Sequence, residues 1–191
     1  MSDSLVDSFI ANLEAVAGKA HVVDGPEAAA GTIAQIIAEA NLTRAAIAHV
    51  PPVLADALRP LLLEKGVQVK EEPFAADSLP LFLDDVQVGI TGIDFAIAQT
   101  GTMVEVATND ATRLVSSMPR TYIGVFHATE IVPTLLESAP CLRAVFRQHA
   151  PNVMVSFISG PSRTGDIEMI LTLGVHGPEN AHAIIVQEKV S

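Results

Sequence analysis

A chain of 191 residues, 49% of them hydrophobic, can bury one substantial core, so a single domain over residues 1–191 is expected. Eleven Lys and Arg against 22 Asp and Glu give a formal charge of -11, which leaves no basic face able to neutralise several phosphates and excludes nucleic acid as a partner. The mean hydropathy of +0.40 comes from short apolar runs interrupted by Gly, Pro or charge, none near the ~20 residues of a membrane span. The apolar excess therefore belongs to a core or to a subunit interface, as in a homo-oligomer. Acids at Asp3 and Asp7, with no basic segment ahead of the first apolar residues, are unlike a secretory signal, and a cytoplasmic location is expected. A single cysteine, Cys141, excludes an internal disulfide and any cysteine-ligated zinc or iron-sulfur site within the chain.

In chain order, Leu5, Phe9, Leu13 and Val16 fall at helical spacing and predict a leading helix within residues 1–20, with Ser2 or Ser4 as N-cap. A strand over 20–23 follows. Gly25-Pro26 opens a helix to about Ala40, carried by Ile33, Ile36 and Ile37. After a strand over 45–48, Pro51 and Pro52 open a third helix that reaches Leu63 and ends at Gly66 before a strand over 67–69. This alternation predicts an α/β fold: a mostly parallel, Rossmann-like sheet with helices on both faces and right-handed crossovers. Pro73, Asp77, Ser78 and Pro80 break any period, so 71–87 reads as a loop or arm. Beyond it the pattern predicts a helical turn over 113–118, a strand over 122–126, helices over 131–137 and 140–149, and a strand over 153–158. A helix start over 165–171 and a strand over 183–186 complete the chain.

The stretch Val88 to Val106, VGITGIDFAIAQTGTMVEV, sets apolar strand-like runs between glycines, threonines and acids. Gly89, Gly92 and Gly101 suit sharp turns or close approach of a ligand, and Thr100, Gly101 and Thr102 offer hydroxyls and backbone N–H groups at a strand end, where open α/β sheets bind ligands. Thr91, Gly92, Thr100, Gly101 and Thr102 are accordingly candidate ligand-binding residues, with an ordinary turn as the alternative. Asp94 and Glu105 are the nearby candidate acids. A second constellation, ISGPSRTGDIEMILTLGVHGP, runs from Ile158 to Pro178. Ser159, Gly160, Ser162, Arg163 and Thr164 would present hydroxyls, N–H groups and a guanidinium beside a helix entry, which suits a phosphate or carboxylate. Capping by Ser162 or Thr164 is the alternative, and it leaves Arg163 unexplained. Arg113 and Ser116 are candidates from the neighbouring turn, and His176 is a candidate base or anion ligand. His127 lies near Glu130, yet the six histidines show no metal-binding spacing, so no metal is expected.

The central stretch, Arg113-Leu114-Val115-Ser116 with Pro119, Ile131-Val132-Pro133-Thr134-Leu135 and the Ile158 to Pro178 segment, taken in that order, resemble the LUD domain, specifically the lactate-utilisation protein C family. The resemblance is clearest over residues 88–186. It implies a fold of the NagB/RpiA/CoA-transferase type and a role in oxidising L-lactate to pyruvate beside partner proteins that carry the iron-sulfur clusters, none being held by this chain. Members of the family commonly carry an acid at the position of Gln99, within AETGT; here the run is Ala98-Gln99-Thr100-Gly101-Thr102, and an amide cannot act as a carboxylate base or nucleophile. Two functions follow as expectations. The favoured one is the non-cluster component of a lactate-oxidising system that binds a small anionic metabolite. The other is a stand-alone CoA-transferase-like or sugar-phosphate-isomerase-like enzyme acting through Asp94 or Glu105.

Overall fold

The computed structural model describes residues 2–74, 79, 81–149, 152–167, 170–173 and 176–187. Its elements begin with α1 (Ser2–Ala15), β1 (Lys19–Asp24), α2 (Gly25–Glu39), β2 (Arg44–Ala48), α3 (Pro52–Glu64) and β3 (Gln68–Glu71). The middle of the chain forms β4 (Val88–Gly92), β5 (Phe95–Ile97), β6 (Thr102–Ala107), α4 (Asp110–Ser117), β7 (Thr121–His127) and β8 (Ile131–Val132). Then come α5 (Ala139–His149), β9 (Met154–Ile158), β10 (Arg163–Ile167), β11 (Ile170–Leu173) and β12 (Asn180–Gln187).

Six strands form one sheet in the order β1-β12-β7-β4-β2-β3, and every neighbouring pair is parallel. Side chains alternate across a strand, so adjacent residues serve opposite layers. Ile47, Ile90, Ile123 and Ile184 pack against Ile33 and Ile37 of α2 and Leu54, Leu58 and Leu62 of α3. On the other face, Tyr122, Phe126, Ala183 and Ile185 meet Phe9 and Leu13 of α1, while Ala46 and Ala48 meet Val115 of α4. Helices therefore cover both faces, as the alternation of elements predicts.

A second sheet, β8-β5-β6-β9, packs beside α1 and touches the first sheet directly through Thr91 and Glu105. Its Ala96 and Met103 join the α1 cluster, and its opposite face, with Phe95, Ile97, Val104 and Val155, is capped by Cys141 and Leu142 of α5. One face of the leading helix packs on residues of both sheets, which is why Phe9 and Leu13 are fully buried.

Three expectations need correction. Residues 165–171 do not start a helix: β10 and β11 pair antiparallel as a hairpin, in keeping with β-branched Ile167, Ile170 and Thr172. Residues 131–137 are not helical either, because Ile131 and Val132 add to β5 in parallel and Pro133, lacking an N–H, stands outside the ladder. The turn at 113–118 is the end of a longer helix that starts at Asp110, where Asn109 Oδ1 accepts from Thr112 N at 2.8 Å as its N-cap. Within the 71–87 arm, Phe74 and Leu79 pack on Leu83 and Val86. Residues 75–78 and 80 lie outside the described residues.

Candidate functional site

From β2 the chain crosses outward to β3, yet the next strand, β4, adds on the opposite side of β2. Ligands of open α/β sheets bind at such a reversal, outside the carboxyl ends of the strands. His49 follows β2 directly, and Gly92 closes β4. A cleft of about 720 Å³ opens between them and extends past the ends of β7 and β12.

His49 is fixed through its backbone. It adopts φ 54°, its N–H donates to Glu72 Oε2 at 2.9 Å, and its carbonyl accepts from Gly92 N at 3.2 Å. A Cβ on Gly92 would stand 2.2 Å from that carbonyl oxygen, so glycine is required for the two strand ends to meet. The imidazole is left half exposed, with Nε2 3.9 Å from Asp94 Oδ1. At that distance the carboxylate acts as a close counter-charge. Asp94 raises the imidazole pKa above its ordinary value, against the opposing effect of burial. Asp94 is itself anchored, since its Oδ2 accepts from Val106 N at 2.7 Å and its N–H donates to the Val104 carbonyl at 3.0 Å.

Beneath the cleft floor lies Glu105, fully buried. Thr91 Oγ1 donates to Glu105 Oε1 at 2.8 Å and Ser116 Oγ to Oε2 at 2.7 Å, while the Tyr122 hydroxyl stands 2.7 Å from Thr91 Oγ1. With the single Thr91 proton committed to the carboxylate, Tyr122 donates to Thr91. Burial raises the pKa of Glu105, and the two hydroxyl donors hold it down. On the β7 side, His127 and Glu130 line the cleft and cap each other's turn: Glu130 Oε2 accepts from His127 N at 2.7 Å, and His127 Nδ1 stands 2.7 Å from Thr129 Oγ1.

Of the residues singled out in the sequence, Thr91, Gly92, Asp94, Glu105 and Ser116 meet here. The others do not. Gln99 is exposed on a turn, where its Oε1 accepts from Leu135 N at 3.3 Å. Gly101, at φ 58°, lies under α1, and a Cβ there would come within 2.2 Å of Leu13 N; Gly160, at φ 84°, similarly abuts the Val16 carbonyl. Thr100, Thr102 and Ser159 link hydroxyl to hydroxyl at 2.7 Å each. These hydroxyls bond to one another, and the two glycines lie against the leading helix and the turn that follows it. Arg113 pairs with Asp110 at 2.7 Å and lines a separate polar depression with Met154.

The 158–178 segment is corrected most. Arg163 opens a strand and is exposed, so no helix entry stands beside it to attract an anion. Ser162 N donates to the Pro178 carbonyl and Ser162 Oγ to the His176 carbonyl, at 2.8 and 2.6 Å. Glu179, just before β12, bonds to Arg120, just before β7. Ser162 and His176 therefore stand at the amino ends of the parallel strands, opposite the cleft. The side chain of Thr164 lies outside the described residues. His49 escapes the motif reading, although the run AIAHVPP carries a signal: a histidine between an apolar strand and a Pro-Pro helix start sits where α/β sheets place ligands. Among the described residues, no three His, Cys, Asp or Glu are arranged to hold a metal ion. Nor is any described helix long and apolar enough to cross a membrane.

Lactate utilization protein C of Geobacillus sp. (strain WCH70) is 37% identical over 109 residues, covering 56% of this chain and 45% of that protein. The protein of the same name from Bacillus subtilis (strain 168) is 35% identical over 111 residues, with the same shares. The chain spans about half the length of the curated relatives it matches. A crystal structure of a DUF162 family protein from Deinococcus radiodurans superposes with a TM-score of 0.68 at 24% identity, covering 97% of this chain and 98% of that one, and so shares its fold. The LUD domain family matches residues 6–186, leading helix, both sheets and cleft included, and the chain belongs to that family.

Proposed function

We propose that this chain is a component of a lactate-utilisation system that holds no iron-sulfur cluster itself and works beside iron-sulfur partner proteins as L-lactate is oxidised to pyruvate. Its part is to bind a small carboxylate in the cleft. The names of its relatives support the system. The observation that carries the binding role is His49, whose protonated form Asp94 favours and which stands half exposed where β2 and β4 diverge.

An imidazolium in this position attracts a carboxylate and donates a hydrogen bond to it. The starts of α2 and α3, represented in the cleft wall by Pro26 and Pro51, add positive helix ends. The two cleft acids are already engaged: Asp94 with Val106 N and His49, Glu130 with His127 N.

Calorimetric titration of the purified chain with L-lactate and with pyruvate tests this, repeated with His49→Gln. Saturable binding that weakens about tenfold or more in the variant is expected. Equal affinity in the two proteins would overturn the role of His49, and binding of neither acid, with or without the partner proteins, would overturn the reading.

A further inference from the structure

The cleft is much larger than a three-carbon acid. Lactate has six heavy atoms, and even at the ~30 Å³ that a water occupies in the liquid it would fill about a quarter of the available 720 Å³. That volume falls in the range, about 300–1,000 Å³, of pockets that enclose drug-sized ligands.

The shape and chemistry agree. The wall passes the ends of four neighbouring strands, from His49 after β2, across Gly92 of β4 and Phe126 of β7, to Val186 of β12. Three strand spacings of ~4.8 Å make a path of roughly 14 Å. The imidazolium lies at the β2 end. Much of the remaining lining is apolar, with Val53, Leu54, Val125, Phe126 and Val186, while His127 and Glu130 stand on the β7 side. Val53, on the first turn of α3, is 60% exposed.

Resting on the reading of the cleft as a carboxylate site, we propose that its ligand is an amphipathic monoanion: a carboxylate held at His49, joined to an apolar body that runs across β4 and β7 to Val186. The site then selects by apolar length as well as by charge. A short acid engages the charged end alone and leaves Val186 in water.

Titration with straight-chain carboxylates from three to ten carbons, and with L-lactate alongside, tests the inference. Kd should fall about fourfold per added methylene until the chain spans the cleft. Val186→Thr, which keeps volume and shape, should flatten that trend for the longer acids only. His49→Gln should weaken the whole series by a common factor. A Kd independent of chain length, or a series untouched by both substitutions, overturns the inference. Should lactate bind while the series is flat, the small-acid reading stands alone; should long acids bind and lactate not, the inference stands and lactate is removed as this chain's own ligand. Binding of none of them overturns both.

Discussion

Thr91 of the parallel sheet donates a hydrogen bond across 2.8 Å to Glu105 of the second sheet, with both side chains sealed from solvent. Ser116 of α4 completes the carboxylate, and Tyr122 stands behind Thr91. One buried charge thus joins β4, β6 and α4 directly beneath the cleft floor, with β7 tied in through Tyr122. Removing the acceptor would strand two buried hydroxyls, each costing ~1–3 kcal/mol when unsatisfied. Glu105→Ala should therefore lose about 3 kcal/mol in urea unfolding.

The charge of Glu105 also has a pH signature. Its folded-state pKa is raised above the ordinary carboxylate value by burial, so between the two values the folded chain holds the extra proton. Stability contributed by this group consequently falls as pH rises through that window, since the unfolded state ionises more readily. Glu105→Gln removes the ionisation. The stability of wild type relative to Glu105→Gln should decline from acid pH upward, and a difference independent of pH would refute the shifted pKa.

At His49 the pH dependence runs in the same direction and extends to binding. The imidazole pKa is raised, chiefly by Asp94, so its stabilisation is fully present below the ordinary value of 6.5 and lost as pH rises through the folded value. Because the pair is half exposed to water, its share of stability should stay below ~1 kcal/mol. Its share of anion affinity should be larger. Carboxylate binding is expected to weaken above the raised pKa, and Asp94→Asn should return the imidazole to its ordinary range in an NMR titration and move the affinity loss to lower pH.

Much of this architecture is legible in the residues. Ile33, Ile36 and Ile37 announce α2, and the strand-helix alternation through Val69 announces the parallel sheet, because burial on one stripe leaves a period of 3.6 and burial on two faces leaves a short apolar run. Ile131 and Val132 mislead for a physical reason: two residues added to β5 carry too little pattern to outweigh the helical spacing around them. The site is harder to read. Gly92 and Gly101 look alike in sequence, yet one makes room for His49 and the other for α1, and neighbours from distant parts of the chain decide between these roles. Arg163 suits an anion only beside a helix start, and the segment it opens is a strand.

His21 and His182 face each other on β1 and β12, with Nε2 and Nδ1 3.2 Å apart and rings stacked at 5.4 Å. Burial lowers both pKa values, that of His182 to about 4, and Lys19 lowers them further, while Glu39 acts the other way on His21. A histidine held neutral when folded takes up its proton on unfolding, so stability should fall as pH drops below about 6.5 and through the folded value. For His182 the loss amounts to about 2–3 kcal/mol between pH 7 and pH 4. Urea unfolding of His182→Gln over the same range should show a shallower decline; an identical slope would remove His182 as the source.

The resemblance to the family implies an acid at the position of Gln99, and an acid restored there would be expected to raise activity if it faced the substrate. In this fold it faces outward. Its side chain accepts from Leu135 N, its own N–H donates to the Pro133 carbonyl at 3.0 Å, and the turn is held from behind by Asn12 Nδ2, which donates to the Ala98 carbonyl at 2.9 Å. A glutamate would keep the bond from Leu135, since either carboxylate oxygen accepts. Gln99→Glu should accordingly leave carboxylate affinity at the cleft unchanged and stability within about 0.5 kcal/mol. Gly101→Ala, two residues on, should cost about 3 kcal/mol, because a side chain at φ 58° is strained and its Cβ would press into the α1 backbone. Affinity and unfolding measured on both variants separate the two roles of this turn: a gain in binding for Gln99→Glu would place the acid's position within reach of the ligand, and its absence leaves the turn as the seat of α1.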